Sequence, residues 1–269
     1  MKFNKRPVIF ILIIIAVISI SISPIISNSL IGVSYTVKSF WRMAIASIIM
    51  WVISLGSKGS TISGIQNLKV FVAGTVLGLH FIFFYGSIDI LRDIGGVNQI
   101  SNATVLGTLA PIFILFYNKI FLKKKITGLI FFSLALALFG SILIFYNDIS
   151  LSSDLAVGNL YAVVCSMLLS ITFIISTDIR KIVDTIQLSK FLYLYAAIAC
   201  FIVAVITNEN LMLLDRDQIL MLVLLGVVPT ILGHNIFYYL IGSLSPVAVS
   251  SIPLAEPLVS TMLSIIFFG

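Results

Sequence analysis

Charged residues are scarce in this sequence of 269 residues, of which only 10% are Asp, Glu, Lys or Arg. A typical globular chain carries roughly 25%, and here 60% of the residues are hydrophobic and the mean hydropathy is +1.19. A water-soluble domain is therefore excluded. Cysteine occurs only at Cys165 and Cys200, each inside an apolar run. The sequence therefore has no disulfide scaffold. We interpret Cys165 and Cys200 as small packing side chains.

Signatures of enzymes are missing as well. The sequence has no H-E-x-x-H motif, no G-x-S-x-G elbow and no Walker Gly-Lys-Ser/Thr. We therefore expect no enzyme, no cofactor and no transport driven by ATP bound to this chain. The net charge of +6 is not gathered on one polar helix face or arm, so no nucleic-acid partner is expected.

Long uncharged runs are what the sequence does contain. A membrane-spanning helix needs about 20 predominantly apolar residues, and the sequence predicts nine of them. The predicted spans are residues 8–27, 40–55, 70–88, 97–122, 128–146, 156–177, 191–207, 218–239 and 246–268. The first run is longer than the apolar region of a signal peptide and has no A-x-A cleavage site, so we keep it as a retained helix. The predicted fold is an all-α polytopic membrane protein.

The basic residues indicate an orientation in the membrane. When the connections are placed alternately on the two sides, the N-terminal side collects twelve of the 16 Lys and Arg and the other side four. The twelve are Lys2, Lys5, Arg6, Lys58, Lys69, Lys119, Lys123, Lys124, Lys125, Arg180, Lys181 and Lys190, and the four are Lys38, Arg42, Arg92 and Arg216. By the positive-inside rule, the N-terminus is predicted to be cytoplasmic.

An internal repeat relates the two parts of the chain. Pro111 aligned with Pro257 sets residues 101–122 against 247–268, and in both copies proline interrupts an uncharged helix. The copies are about five spans apart, so one half is predicted to be inverted relative to the other. Pro257 has no N–H for the carbonyl of Pro253. We expect such unpaired carbonyls to face protein or a water-filled cavity, as in transporters with broken helices.

A known family combines these motifs in the same order. They are Phe40-Trp41-Arg42, Leu79-His80-Phe81, Thr108-Leu109-Ala110-Pro111, Gly226 to His234 with Pro229, Leu244-Ser245-Pro246, and Pro253-Leu254-Ala255-Glu256-Pro257. Over nearly its whole length the chain resembles the EamA group of the drug/metabolite transporter superfamily. The resemblance implies ten helices in two inverted five-helix halves around a cavity that opens alternately to either side.

The resemblance also sets the expected domains. Residues 1–146 would form a first repeat of five spans, and residues 147–269 a second repeat of four. The family pattern continues to a tenth helix, whereas this sequence stops at Gly269, so the closing helix is absent from it. Either the sequence is a fragment or the protein ends there. In the first half, Lys123-Lys124-Lys125 stand where family members often carry a glutamate.

Glu256 is the only carboxylate that the predicted spans place deep in the membrane. An ionisable group there is costly enough to be a functional candidate. It would bind a cationic group of a substrate or accept a coupling proton. The alternative is that it caps the half-helix beginning at Pro257.

The two histidines, His80 and His234, occupy corresponding places in the two halves. They would either line the cavity or hydrogen-bond neighbouring helices. No metal site is expected, because no further ligand lies at suitable spacing.

Arg42 would either snorkel to the interface beside Trp41 or form an anion-binding or gating group at the outer mouth. The full predicted substrate cavity is His80, Tyr85, Asn102, Pro111, His234, Asn235, Tyr239, Glu256 and Pro257. Tyr238 is a further polar candidate on these helices.

The function that these observations favour is secondary active transport of a small polar metabolite across the inner or plasma membrane. Efflux of amino acids or related solutes is the commonest activity that the resemblance implies. Two alternatives stay open: exchange of a nucleotide-derived or sugar-phosphate solute, and a lipid flippase or membrane-embedded enzyme. The expected partners are a small-molecule substrate, the lipid bilayer, and a coupling proton or an exchange solute. Assembly into a homodimer is a further alternative that stays open.

Overall fold

Helices joined by short connections make up the described part of the chain, which comprises residues 5–57, 59–96, 99–144 and 153–268 of this computed structural model. The helices are α1 (Lys5–Ser21), α2 (Ser23–Ser29), α3 (Tyr35–Leu55), α4 (Gly64–Gly95), α5 (Ile100–Gly107), α6 (Ala110–Ile120), α7 (Gly128–Ile144), α8 (Ala156–Ile179), α9 (Thr185–Ile206), α10 (Arg216–Leu225), α11 (Asn235–Ile241), α12 (Pro246–Ser251) and α13 (Glu256–Phe268). A π-helical segment (Gly226–His234) joins α10 to α11, and 3₁₀ turns cover Ser153–Leu155 and Ile252–Ala255.

Eight helical segments among the described residues are long and apolar enough to cross a membrane, and a shorter apolar helix covers Gly128–Gly140. Each of the nine predicted spans corresponds to one of these segments, so the polytopic all-α fold is confirmed. Tyr146, the predicted end of the fifth span, and the predicted domain boundary between residues 146 and 147 lie outside the described residues. The division into two repeats stays a prediction.

The third span differs most from the prediction. It was expected to end at residue 88, but α4 continues to Gly95 and is 32 residues long. The extension carries Asp89, which is buried against Lys38 of α3. Asp89 is therefore a buried carboxylate on an apolar helix that the prediction did not include, because a paired charge can continue a buried helix where an unpaired one cannot.

Close packing of α4 on α9 holds the centre of the bundle together. Gly74 and Gly78 lie one turn apart on α4, and a Cβ atom at either would approach a backbone oxygen of α9, that of Leu192 or Ala196, to 2.6 Å. Such a contact is possible only with glycine. Small residues at this spacing allow membrane helices to approach closely, where burial in lipid supplies little driving force.

The helix α9 begins at a polar cap outside the membrane-spanning segments. The Asp184 carboxylate accepts hydrogen bonds from the Gln187 N–H at 3.0 Å and from both the N–H and the hydroxyl of Ser60, at 2.8 and 2.9 Å. Burial alone would raise the pKa of Asp184, but these hydrogen bonds outweigh burial and hold the pKa below its usual value. The cap thereby ties the loop before α4 to α9.

Apolar side chains cover the outside of the bundle. On α7, Leu129, Phe131, Phe132 and Leu143 are all exposed, as expected for a helix whose surroundings are hydrocarbon.

Cys165 and Cys200 are both free and buried, which confirms their interpretation as packing residues.

Candidate functional site

A small pocket lies in the interior where broken helices meet. Its polar lining is Ser23, Arg42, His80, Thr108, His234 and Glu256, and its apolar lining includes Phe81, Phe84, Phe237, Leu169 and Pro253. The cavity volume is about 30 Å³, and a water molecule needs roughly 10–15 Å³ of such space. The pocket therefore has room for about two water molecules in this conformation. A larger solute requires the helices to move apart.

Proline explains the two breaks that were predicted from the sequence, and both are confirmed. Pro111 lies in the first turn of α6 and has no N–H for the carbonyl of Gly107, the last residue of α5. Gly107 lines the pocket. The fourth span and the ninth span, at Ile252–Ala255, thus both lose regular helical structure.

The prediction that backbone carbonyls in the ninth span are left unpaired is wrong. The Pro253 carbonyl accepts the Glu256 N–H, and the Val249 carbonyl accepts the Ile252 N–H. A 3₁₀ turn places the donor three residues along the chain instead of four, so the carbonyls that the prolines deprive of a regular partner find another.

A third proline creates a break that the sequence analysis did not predict. Pro229 lies inside the π-helical segment and has no N–H for the Leu225 carbonyl four residues earlier. The Thr230 hydroxyl donates to that carbonyl instead, at 3.0 Å. The same hydroxyl oxygen accepts a hydrogen bond from Nε of Arg42 at 2.8 Å. The π segment therefore positions the guanidinium at the pocket.

Arg42 is enclosed by helices and lies in the pocket lining, so the alternative in which it snorkels to the interface is wrong, and the alternative of an anion-binding or gating group stays a prediction. Its side chain is 1% exposed. Nη1 donates to the hydroxyls of Ser23, at 2.8 Å, and Tyr85, and the guanidinium lies 4.0 Å from the centre of the Phe81 ring. These neutral partners hold the cation inside the bundle, which removes any need to reach the interface.

One nitrogen of this guanidinium is left without a partner. Nη2 of Arg42 is buried and has no hydrogen bond within the described ranges. A buried N–H of a charged group without an acceptor is costly. Its position on a pocket-lining side chain makes it the natural donor to an anionic ligand group.

Glu256 supplies a carboxyl group at the same pocket. It is the first residue of α13, is 8% exposed and lines the cavity together with Arg42. No ion pair or side-chain hydrogen bond joins its carboxylate to any other described residue. The pocket thus contains one guanidinium and one carboxyl group that do not pair with each other.

The two histidines meet at this pocket, as their matched sequence positions suggested. Their ring centroids are 6.1 Å apart, and both rings line the cavity. Nδ1 of His80 hydrogen-bonds to the Cys165 carbonyl at 2.9 Å, whereas Nδ1 of His234 is buried and has no described partner. In the part of the chain that the structure describes, no three His, Cys, Asp or Glu side chains are grouped to hold a metal ion.

Several predicted cavity residues do not line the pocket. Tyr85 lies behind Arg42, and its hydroxyl is 2.9 Å from that of Ser23. Asn102 donates to Asn159 at 3.0 Å and so joins α5 to α8.

The remaining differences are in the second half of the chain. Asn235 accepts from Ser189 at 2.5 Å, and Tyr239 is 49% exposed on the outside of the bundle. Pro111 and Pro257 are buried at helix starts outside the lining. They act by breaking the helix, which brings Gly107 and Glu256 to the pocket.

The sequence analysis missed Ser23, Thr108 and Phe81 as pocket residues, and Thr230 as the residue that holds Arg42 there. A signal existed for two of them, because Ser23 precedes Pro24 and Thr230 follows Pro229 inside apolar spans. A hydroxyl beside an intramembrane proline can satisfy the freed backbone groups. Nothing in the sequence marks Thr108 and Phe81 apart from their proximity to Pro111 and His80.

A second buried charge cluster lies away from the pocket. Nζ of Lys38 donates to Asp89 at 2.7 Å and to the Ser27 carbonyl, near the end of α2, at 3.2 Å. Arg92 also contacts Asp89, at 3.2 Å, and pairs with Asp93 at 2.9 Å. Ion pairs connect these side chains, which distinguishes the cluster from Arg42 and Glu256 in the pocket, although Nη1 of Arg92 makes no hydrogen bond within the described residues.

Substitutions in this cluster should differ in a defined order. Asp89→Leu leaves Lys38 as an uncompensated buried cation, and we expect it to lower the free energy of unfolding by about 3–5 kcal/mol. Lys38→Met should lower the free energy of unfolding by a smaller amount, because Asp89 retains its ion pair with Arg92. The double variant should recover most of the loss, since replacement of a whole buried pair is often neutral. Thermal unfolding in detergent would measure all three, and a double variant less stable than Asp89→Leu would contradict the assignment.

Known proteins resemble this chain at the level of sequence and fold. The sequence profile of the EamA-like transporter family matches residues 8–146 and 156–269. An "uncharacterized transporter" of Clostridium kluyveri is 25% identical over 189 residues, which cover 68% of this chain. The match spans 60% of the length of that relative.

A solved crystal structure superposes with a TM-score of 0.76 at 15% identity, over 97% of this chain and 88% of the other. At that identity the likeness concerns the fold alone. The family match, in contrast, extends over both parts of the sequence and agrees with its many apolar helices. This multi-pass membrane protein belongs to the EamA-like transporter family.

Proposed function

We propose that this protein is a secondary active transporter that moves a small zwitterionic metabolite, an amino acid or a related solute, out across the cytoplasmic membrane. The observation that carries the proposal is the presence of the Arg42 guanidinium and the Glu256 carboxyl group, mutually unpaired, on one interior pocket. We call this pair the zwitterion site.

The chemistry of the pair matches the two ends of an amino acid. Nη2 of Arg42 offers an N–H without an acceptor, and a substrate carboxylate would provide one. The Glu256 carboxylate would accept the substrate ammonium. A zwitterion carries no net charge, so it can neutralise both groups at once without adding charge to the membrane interior.

Alternating access fits the small size of the pocket. A cavity of about 30 Å³ is too small for a metabolite, so binding and release each require the helices around it to separate. The broken segments that join α5 to α6 and α12 to α13 are suitable places for such bending. Two inverted halves, residues 1–146 and 147–269, would rock against each other with the N-terminus on the cytoplasmic side. A proton or an exchanged solute would supply the energy.

The charge of the lining argues against a phosphorylated solute. Among the residues that the structure describes, Arg42 is the one Lys or Arg side chain in the lining, whereas an ionised Glu256 would repel a phosphate group. A lipid substrate would need a cavity that opens sideways to the bilayer. The interior position of the zwitterion site favours a compact soluble solute instead.

Counterflow in proteoliposomes would test the proposal. Vesicles loaded with unlabelled amino acids should accumulate labelled amino acid from outside, and protein-free vesicles should not. The methyl ester, the decarboxylated amine and the N-acetyl derivative each remove one charge and should compete at least tenfold more weakly. Stronger counterflow with sugar phosphates, or equal competition by the singly charged analogues, would contradict the proposal.

A further inference from the structure

The zwitterion site leaves the two pocket histidines without a role. We infer that His80 and His234 form a hydrogen-bonding subsite that selects zwitterionic solutes bearing a hydroxyl or carboxamide group on the side chain. This inference rests on the proposed function, since it concerns the part of the same solute that Arg42 and Glu256 do not contact.

The environment of His80 determines which hydrogen-bonding group it presents. Nδ1 contacts the Cys165 carbonyl, which can only accept, so Nδ1 carries the proton. We take the ring as neutral, because a second cation in the pocket with Arg42 would be costly in an interior without bulk water. Nε2 of His80 is then a lone-pair acceptor for a ligand group that donates.

His234 contributes a ring that is positioned but not satisfied. Its ring is held by edge contacts with Phe81 and Phe237, at centroid distances of 5.1 and 5.6 Å. The residue is 7% exposed, and its buried Nδ1 has no hydrogen-bond partner in the described chain. A buried ring nitrogen of this kind is costly until a ligand completes its hydrogen bond.

The spacing of the rings limits the chemistry of the ligand. With centroids 6.1 Å apart, one small group between the rings could donate to His80 and also hydrogen-bond to His234. Hydroxyl and carboxamide groups both donate and accept. An aliphatic group of the same shape would leave both rings unpaired, which is the condition under which a polar site discriminates strongly. A second carboxylate on the solute would be repelled by Glu256, and a second ammonium would be repelled by Arg42, so charged side chains are disfavoured.

Pairs of amino acids with matched shapes provide the test. In counterflow with the full chain, valine should compete about 10- to 100-fold more weakly than threonine, because the two differ by a methyl in place of a hydroxyl. Leucine should likewise compete more weakly than asparagine. His234→Leu should reduce the threonine-to-valine ratio to below about threefold while valine transport continues. His234→Gln, which retains a donor and an acceptor, should recover much of the ratio.

The control is Tyr239→Phe, which removes a hydroxyl from the exposed outside of the bundle and should leave the ratio unchanged. Equal competition by threonine and valine in the unaltered protein would overturn the inference even if every His variant failed to fold. An unchanged ratio in a folded His234→Leu protein would overturn it as well. Transport of amino acids without side-chain preference would leave the proposed function intact, whereas absence of amino-acid transport would contradict both.

Discussion

Replacing Arg42 by glutamine should strongly weaken the binding and counterflow of amino acids while the free energy of unfolding changes little. The guanidinium is the cation of the zwitterion site, and a hydrogen bond to a charged group contributes about 1.5–3 kcal/mol. Loss of the carboxylate contact therefore predicts roughly a 10- to 150-fold weaker affinity. Binding can be measured by isothermal calorimetry on purified protein, and transport by counterflow in proteoliposomes.

The free energy of unfolding should change little in the Arg42→Gln variant, although transport declines. Arg42 has only neutral hydrogen-bonding partners among the described residues, so its replacement leaves no ion pair broken. Glutamine removes that charge, and the Ser23 and Tyr85 hydroxyls keep their contact with each other. We expect the free energy of unfolding to stay within about 1 kcal/mol of the original value or to increase.

Two further arginine variants make the result interpretable. Arg42→Lys keeps the charge but loses the planar set of donors, so it should retain partial binding. Arg216→Gln removes an arginine from the exposed start of α10 and should change neither binding nor transport. If Arg42→Gln unfolded the protein and Arg42→Lys behaved like the original, a structural role for the charge would replace the proposed one.

Replacing Glu256 by glutamine should change which solutes the protein accepts. The variant loses the acceptor for a substrate ammonium, so amino acids should bind about 10- to 150-fold more weakly, by the same energy of a charge-assisted hydrogen bond. Carboxylates without an ammonium group, such as 2-hydroxy acids, should gain relative to amino acids, because the repelling carboxylate is gone. Competition in counterflow would give both ratios, with Glu209→Gln, in the loop before α10, as the matched control.

The same variant separates the two functional interpretations of Glu256. If Glu256 binds the ammonium, counterflow and proton-driven accumulation of amino acids should both decline. If it carries only a coupling proton, Glu256→Gln should abolish accumulation driven by a pH gradient and spare counterflow. Normal transport in both assays would remove Glu256 from the mechanism and leave the capping interpretation.

Much of the fold was predictable because its causes are local in sequence. A run of about 20 apolar residues has to form a helix in lipid, since every backbone polar group needs an internal partner there. All nine predicted spans correspond to apolar helices for this reason. The breaks near Pro111 and Pro257 were predictable on equally local grounds, because a proline cannot supply the missing N–H.

The candidate site was predicted less well, because helix rotation and interhelical contact decide it. Tyr238 and Tyr239 are neighbours in sequence, and consecutive helical residues point about 100° apart. One is fully buried and the other is 49% exposed. Arg42 lies near the start of its span, which made an interfacial position reasonable. Hydroxyls from three other segments, those of Ser23, Tyr85 and Thr230, keep it inside.

The sequence by itself determined that the bilayer surrounds this protein, how many apolar helices it forms and where proline interrupts two of them. Those properties depend on composition and on backbone groups a few residues apart. Only the tertiary structure decided that a cation from α3, an anion from α13 and an imidazole from each of two distant spans share one pocket. Such a meeting depends on how each helix turns its faces against its neighbours, and that is determined by packing along the whole bundle.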